Sequence, residues 1–406
     1  MSKVKLKKYG LKDIIYFTNK PKERERHIQE ASSKKTAATF SVNEKAAERH
    51  PDEQVFIIDA VKDHGKGVKT YTLSKKDGTN PAFFRAGQYV VIRQEIEGKL
   101  IARPVSMSCG PAETLEGRLD VTVKKVENGF LSKYIIDNWK VGDEVKTSGP
   151  QGLFYYEFFR DERHVVACSG GSGITPILSM AQAIASGDED FKLTILYGSR
   201  TKGDILFADE FAKVMKETDK VKLVNVLSDE EPAAAEEDGF LFEKGFITAE
   251  LIKKYAGSEP FSLFASGPQA MYNFLDKEAA KLNLDLKHYR KEIFGSIKEP
   301  WTLPGYPQEA KDKVFNLKVK MCNEIFDIPC NANENMLVAL ERAGIAGPNR
   351  CRGGVCGWCR SRLVSGNVYI PEITDGRRSA DKKFGYIHPC ASFALSDCEI
   401  EVPNRK

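Results

Sequence analysis

Apolar residues fall along this chain in two rhythms. From residue 52 to 158 they come in short β-rich runs, Val55-Phe56-Ile57-Ile58, Val68 to Leu73, Gln88 to Gln94 and Leu119 to Val126, separated by Gly, Pro, Asn and Asp. Such runs at regular spacing predict an antiparallel barrel or sandwich. One helix, Leu131 to Trp139, interrupts them and ends before Gly142. From 159 to 296 strand and helix patterns alternate. Val165 to Cys168, Leu193 to Tyr197, Lys222 to Leu227 and Phe261 to Ala265 read as strands. Apolar stretches through Ala185, Phe207 to Thr218, Thr248 to Tyr255 and Gln269 to Leu282 lie between or after them. That alternation predicts a parallel sheet with helices on both faces.

Two segments break the pattern. Residues 1–51 form a basic extension: the first fifty residues carry thirteen Lys and Arg against six Asp and Glu. Helical stretches are expected near 22–34 and 42–50, as a solvated extension or as a docking arm for an acidic partner. Residues 297–312, with Pro and Gly, read as a linker. A last compact unit follows over 313–406. The expected fold class is thus multi-domain β and α/β.

A chain of 406 residues suits several cores, and a hydrophobic fraction of 41% with 29% charged residues is that of a globular protein. The formal charge of +4 is too mild to argue for nucleic acid. The most apolar stretch, Val165 to Ala185, is broken by Gly170, Gly171, Gly173 and Pro176, so no membrane span is expected. The N-terminus has no apolar secretory region, which points to the cytoplasm.

Nine cysteines remain to be explained. Cys109, Cys168, Cys322, Cys330 and Cys398 are scattered and read as buried small hydrophobes. Cys351, Cys356 and Cys359 share one short segment, Cys-Arg-Gly-Gly-Val-Cys-Gly-Trp-Cys, with Cys390 further on. This C-x4-C-x2-C…C spacing is that of a plant-type [2Fe–2S] cluster. Zinc more often takes paired C-x2-C units, and only one is present. Gly353, Gly354 and Gly357 let the backbone approach inorganic sulfides. The segment resembles the plant-type ferredoxin family over about ninety residues, including the helix at Glu334 to Gly344, which implies a C-terminal β-grasp domain. Unlike the usual acidic ferredoxins, this module is net positive. Arg350, Arg352, Arg360 and Arg362 crowd the loop, either neutralising the cluster or pairing with nearby carboxylates, or forming a rim for an acidic electron partner.

Upstream, Arg103-Pro104-Val105-Ser106, Asn128-Gly129-Phe130-Leu131-Ser132 and Gly149-Pro150-Gln151-Gly152 stand in a set order. Ser132 is placed to cap a helix N-terminus that also faces a phosphate. Ser169-Gly170-Gly171-Ser172-Gly173-Ile174-Thr175-Pro176 lies where a strand turns into a helix, a site for pyrophosphate. Tyr197-Gly198-Ser199-Arg200 and Ser266-Gly267-Pro268-Gln269-Ala270-Met271 end later strands.

This order resembles the ferredoxin–NADP reductase superfamily over residues 53 to 295. The resemblance implies an antiparallel flavin-binding β-barrel, a parallel-sheet NAD(P)-binding domain and FAD, with FMN as the alternative. It assigns Arg103 to the flavin phosphates and, with Pro104 and Val105, sets Ser106 beside the reactive ring. Gly129 and Ser132 would hold phosphate. Gly170, Gly171, Ser172, Gly173, Thr175, Arg200, Gly267, Pro268 and Met271 would hold the nicotinamide cofactor. Ser106, Ser266 and Glu292 are the implied catalytic groups. Val105 stands where an aromatic is usual, leaving Phe294 as the aromatic candidate for the ring. Ser266 replaces the family cysteine. Asp204 near Arg200 leans the preference toward NADH. The module order is that of phthalate dioxygenase reductase-like and hybrid-cluster protein reductase-like enzymes. Electrons would run from NAD(P)H through flavin and [2Fe–2S] to a separate redox protein. Reverse flow from a ferredoxin, direct reduction of a quinone or free flavin, and a non-catalytic redox-sensing or carrier role stay open.

Overall fold

The computed structural model describes residues 10–30, 40–127, 129–237, 239–292 and 295–404. Contacts divide the chain into Met1–Ala47 and Glu48–Lys406. The first unit carries α1 (Leu11–Glu30), and α2 (Ser41–Arg49) begins within it. Neither helix buries a residue. The first helix starts eleven positions before the expected 22, and residues 31–34 of that expectation lie outside the described residues.

The large unit opens with β1 (Gln54–Asp63), β2 (Val68–Lys75), β3 (Tyr89–Ile96), β4 (Lys99–Ser106), β5 (Arg118–Lys124) and β6 (Glu144–Thr147). Their order is β4-β3-β6-β1-β2-β5, with every pairing antiparallel. A bridge between Met107 and Val121, with Ser108 N–H donating to the Asp120 carbonyl at 2.9 Å, joins the chain after β4 to β5 and closes the sheet into a barrel. Inward residues Phe56, Ile58, Tyr71, Leu73, Val90, Ile92 and Leu119 fill it. Helix α3 (Phe130–Asn138) covers one end with Leu131, Ile135 and Ile136. Pro104 sits inside β4, which is tolerated because β4 is the first strand in the sheet order and its missing N–H breaks no inner ladder.

A second sheet holds β7 (His164–Gly170), β8 (Lys192–Ser199), β9 (Val221–Leu227), β10 (Glu236–Glu237), β11 (Phe240–Lys244), β12 (Ser262–Ser266) and β13 (Tyr289–Lys291). The order is β10-β11-β9-β8-β7-β12-β13, parallel except at β10. Helices α4 (Ile174–Ser186), α5 (Ala208–Glu217), α6 (Ala249–Ala256) and α7 (Gln269–Ala280) supply the crossovers. Because both faces are covered, the strands read as continuous apolar runs. One face packs Leu193, Ile195 and Tyr197 with α4 and α5; the other packs Val166, Leu196 and Leu263 with Ile252 and Leu275. The barrel is seated on this layer: Ser179 of α4 donates to the Cys109 carbonyl at 2.7 Å, and Phe154 meets Phe264.

The third sheet, β15-β14-β20-β16-β18, is built from β14 (Val314–Met321), β15 (Glu324–Asn331), β16 (Ser361–Ser365), β18 (Tyr386–Ile387) and β20 (Cys398–Val402). Helix α8 (Met336–Arg342) lays Met336, Leu337, Ala339 and Leu340 among Leu317, Val319 and Ile400. A small pair, β17 (Val368–Tyr369) with β19 (Phe393–Ala394), and the short α9 (Ser379–Lys383) complete the unit. This is the β-grasp arrangement that the resemblance to plant-type ferredoxins implied. The expected linker is not a free spacer: Tyr306 and Ala310 are buried with Tyr369 and Phe393, and Tyr369 Oη donates to the Pro304 carbonyl at 2.8 Å. Four of the five scattered cysteines are buried as expected. Cys322 is not: it is exposed at a two-residue hairpin turn with φ +55°. Among the described residues, no helix is long and apolar enough to cross a membrane.

Candidate functional site

The C-terminal ends of β4, β7 and β12 converge. Ser106, the last residue of β4, donates to Glu292 Oε1 at 3.4 Å, and Ser266, the last residue of β12, donates to Glu292 Oε2 at 2.7 Å. All three residues are buried. Glu292 is held from its backbone as well, its N–H bonding the Ala265 carbonyl at 2.9 Å and its carbonyl accepting from Tyr272 Oη. Tyr272 also accepts from Gly267 N–H at 3.1 Å, so one phenol ties the Gly267 turn to Glu292. Burial raises the Glu292 carboxyl to about 8, although the two serine hydroxyls favour its charged form. At neutral pH it holds a proton between two hydroxyls, a group able to keep or pass a proton inside a dry site.

The glycine loop lies against the same turn. A Cβ on Gly173 would sit 2.3 Å from the Ser266 carbonyl oxygen, and one on Gly267 would sit 2.6 Å from Met271 Sδ. Only glycine permits this approach of two backbones. Gly170, Gly171, Ser172 and Gly173 lead into α4, whose first turn holds Thr175, bonded to the Ser172 carbonyl at 2.9 Å. Tyr197 Oη donates to the Gly171 carbonyl at 3.0 Å. Pro268 caps α7, with Met271 in its first turn. Further along the strand ends, Arg200 Nε donates to Asp229 Oδ2 at 2.9 Å. Asp204 is committed elsewhere, to Lys66 and to the Thr201 cap. The acidic residue facing Arg200 is therefore Asp229, which sequence reading passed over. Glu230 stands beside it, accepting from Lys202 N–H at 2.7 Å.

Two expected phosphate contacts sit differently from their motif. Ser132 lies within α3, where Gly129 is the cap, and its hydroxyl accepts from Val126 N–H at 3.1 Å instead of capping the helix. Arg103 Nη1 meets both oxygens of Glu341, at 3.0 and 3.2 Å, across the boundary to the third unit. Val105, between Pro104 and Ser106 in β4, is half-buried. Phe294 lies outside the described residues.

The four clustered cysteines form two pairs. Cys356 stands close enough to Cys351 to perturb its thiol, and Cys359 Sγ is 3.4 Å from Cys390 Sγ. Two thiol pairs suit a binuclear iron centre, one pair for each iron. The loop is shaped for it: Gly354 has φ +82°, and a Cβ there would lie 2.1 Å from the Thr374 carbonyl. Gly353 N–H and Trp358 N–H point at Cys351 Sγ and Cys356 Sγ, at 3.4 and 3.5 Å. Cys351, Cys359 and Cys390 are buried, whereas Cys356 is exposed.

The loop arginines are mostly engaged. Arg350 stacks on Trp358, Arg352 pairs with Glu341, Arg360 with Asp381, and Arg362 lies 3.7 Å from Glu401. Three of the four thus lie against carboxylates and Arg350 against an aromatic ring, while Arg360 and Arg362 keep about half of their side chains exposed. Cys351 packs with Tyr89, Val91 and Ala102 of the barrel. Tyr89 is the registered partner of Ser106, so a single residue lies between the β4 end and a cluster thiol.

Family models match along the chain: an oxidoreductase FAD-binding domain over residues 56–156, an oxidoreductase NAD-binding domain over 168–277 and a 2Fe-2S iron-sulfur cluster binding domain over 320–395. The glycine betaine monooxygenase reductase subunit of Chromohalobacter salexigens is 26% identical over 331 residues, covering 79% of this chain and 87% of the relative. NADH-cytochrome b5 reductase 1 of Aspergillus terreus is 30% identical over 244 residues, 57% of this chain and 79% of the relative. Among solved structures, phthalate dioxygenase reductase superposes with a TM-score of 0.60 at 22% identity, over 86% of this chain and 98% of that one. The likeness to that structure is one of fold. The chain belongs to the ferredoxin–NADP reductase superfamily of flavoproteins and carries a C-terminal plant-type [2Fe–2S] domain, in the order flavin, nicotinamide, iron–sulfur.

Proposed function

We propose that this NAD(P)H-dependent flavin and iron–sulfur oxidoreductase is the reductase component of an oxygenase system, prefers NADH, and releases electrons to its partner at the Cys356 face. The observation that carries the reading is β4. Its end joins Ser106 to Glu292 and Ser266 at the nicotinamide side, and Tyr89 and Ala102 beside it pack on Cys351. FAD held there would take one hydride, two electrons with a proton, from the nicotinamide and could give the electrons up singly to the cluster, an exchange that neither neighbour performs alone.

The chain's own residues bind, orient and hold a proton. Arg103 keeps Nη1 on Glu341 and would turn its remaining N–H groups to phosphate oxyanions, supported by Gly129 and Ser132. Pro104 and Val105 set the strand that presents the Ser106 hydroxyl. Gly170, Gly171, Ser172, Gly173 and Thr175 receive pyrophosphate at the α4 N-terminus. Gly267, Pro268 and Met271 shape the nicotinamide pocket, with Ser266 and Glu292 at its floor. Cys351, Cys356, Cys359 and Cys390 hold the cluster.

NADH is favoured because Asp229 occupies Arg200, the cation that would otherwise meet a 2′-phosphate, and Glu230 adds charge of the wrong sign. The monooxygenase reductase relatives support an oxygenase component as acceptor. The outward face of the loop, with Val355 and Cys356 exposed, offers the exit. Anaerobic titration with NADH and NADPH tests the reading. NADH should bleach the flavin first and then yield the paramagnetic signal of a reduced [2Fe–2S] cluster, with NADPH far slower. A colourless protein after reconstitution with iron and sulfide would overturn it.

A further inference from the structure

Glu341 is an unexpected residue to find where it is. It lies in the last turn of α8, where the helix dipole disfavours a carboxylate. It is only 6% exposed, and a buried charge is costly unless paired. Its neighbour Arg342 turns back to its own unit, donating to Glu334 and to the Pro329 carbonyl. Glu341 faces the barrel instead.

Two arginines meet on it. Arg352, 2% exposed, makes a two-point fork, Nη1 to Oε1 at 2.6 Å and Nη2 to Oε2 at 3.0 Å. Arg103 comes from β4, 31% exposed, and reaches both oxygens. Arg352 directly follows the cluster thiol Cys351 and has φ +57°, a conformation that a bulky side chain rarely adopts. The fork offsets that strain. The guanidiniums of Arg103 and Arg352 repel one another, and the carboxylate between them holds both. Around the bridge, Lys99 of β4 donates to the Arg342 carbonyl at 3.0 Å, and Tyr89, Val91 and Ala102 close over Cys351.

We propose that Glu341 is a positioning residue for electron transfer from flavin to cluster: its carboxylate, shared by Arg103 and Arg352, clamps the cluster loop against the strand that ends at Ser106. The step it serves moves one electron from reduced flavin to oxidised cluster, with no atom exchanged. The inference rests on the proposed flavin site beside Ser106 and on the four cysteine ligands. Charge alone predicts the opposite outcome from positioning. Removing the carboxylate leaves more positive charge beside Cys351, which favours an electron on the cluster and would hasten the step.

The test is anaerobic stopped-flow mixing of the full-length holoprotein with NADH, following flavin bleaching and cluster reduction separately. Glu341→Gln should leave the flavin phase unchanged and slow the cluster phase roughly tenfold or more, as expected for lost alignment. Glu341→Asp, which keeps the charge on a shorter arm, should fall between the two. The oxidised visible spectrum and the paramagnetic signal of the dithionite-reduced cluster report that both centres are in place. A cluster phase at or above the wild-type rate in either variant overturns the proposal, as does equal slowing of both phases. Loss of the cluster from both variants also overturns it, making Glu341 a folding residue. A wild-type protein whose flavin bleaches while no cluster signal develops would refute the underlying site reading instead.

Discussion

Replacing Glu292 with Gln removes an ionisation that the fold suppresses. The wild-type carboxyl is raised from 4.5 to about 8, chiefly by burial. At pH 7 about nine-tenths of the molecules then carry the proton, and the shift corresponds to roughly 5 kcal/mol between the two protonation states. The sign follows from linkage. The folded chain binds this proton more tightly than the unfolded chain, so the stabilisation is fully present below about pH 4.5 and is lost as pH rises through about 8. Glu292→Gln keeps a polar amide near the Ser106 and Ser266 hydroxyls but has nothing to ionise. Its stability should therefore be less sensitive to pH across that window and exceed that of the wild type at pH 9. Infrared difference spectra of wild type minus Glu292→Gln, taken along a pH series, read the group directly. The protonated carboxyl band should vanish with a midpoint near 8. A midpoint below 6, or the same fall in stability for both proteins from pH 5 to 9, would refute the reasoning.

Other outcomes are open to measurement. Gly173→Ala forces a Cβ against the Ser266 carbonyl, with a strain on the order of 1–3 kcal/mol and a kcat/KM for NADH at least tenfold lower; calorimetry and steady-state assays check both. Asp229→Asn releases Arg200 and should raise the NADPH to NADH ratio of kcat/KM about tenfold, or about 1.4 kcal/mol. Cys359→Ser breaks one thiol pair, so the cluster absorption should disappear while NADH still bleaches the flavin.

What the sequence made legible were features whose meaning is local. Cysteine spacing within one loop and glycines at a strand-to-helix turn state their chemistry over a few residues, and in the structure the glycines do stand at that turn. The alternating strands and helices of the second sheet were legible for the same reason, while its short edge strands β10 and β13 were too brief to show a period. Pairings between distant positions were hidden. Arg103 and Glu341 are 238 positions apart, and nothing near either residue announces the other. Tyr272 sits within the stretch Gln269 to Leu282 with no motif around it, yet its hydroxyl anchors Glu292. Asp204 drew attention by closeness in sequence to Arg200, but the neighbouring strand end brings Asp229 nearer. Ser132 shows the same limit: its motif suggested a cap, and the actual helix start at Gly129 sets its hydroxyl toward Val126.

The stretch before β14 has a bearing on how such a protein turns over. With Tyr306 and Ala310 sunk beside Tyr369 and Phe393, and Pro304 tied to the Tyr369 hydroxyl, the tether has no slack to pay out. The tether is thus built into the terminal module, and the two form one packed piece. What holds it to the barrel is the Arg103–Glu341–Arg352 bridge and the packing of Tyr89 on Cys351, so any movement of the module during turnover has to open those contacts.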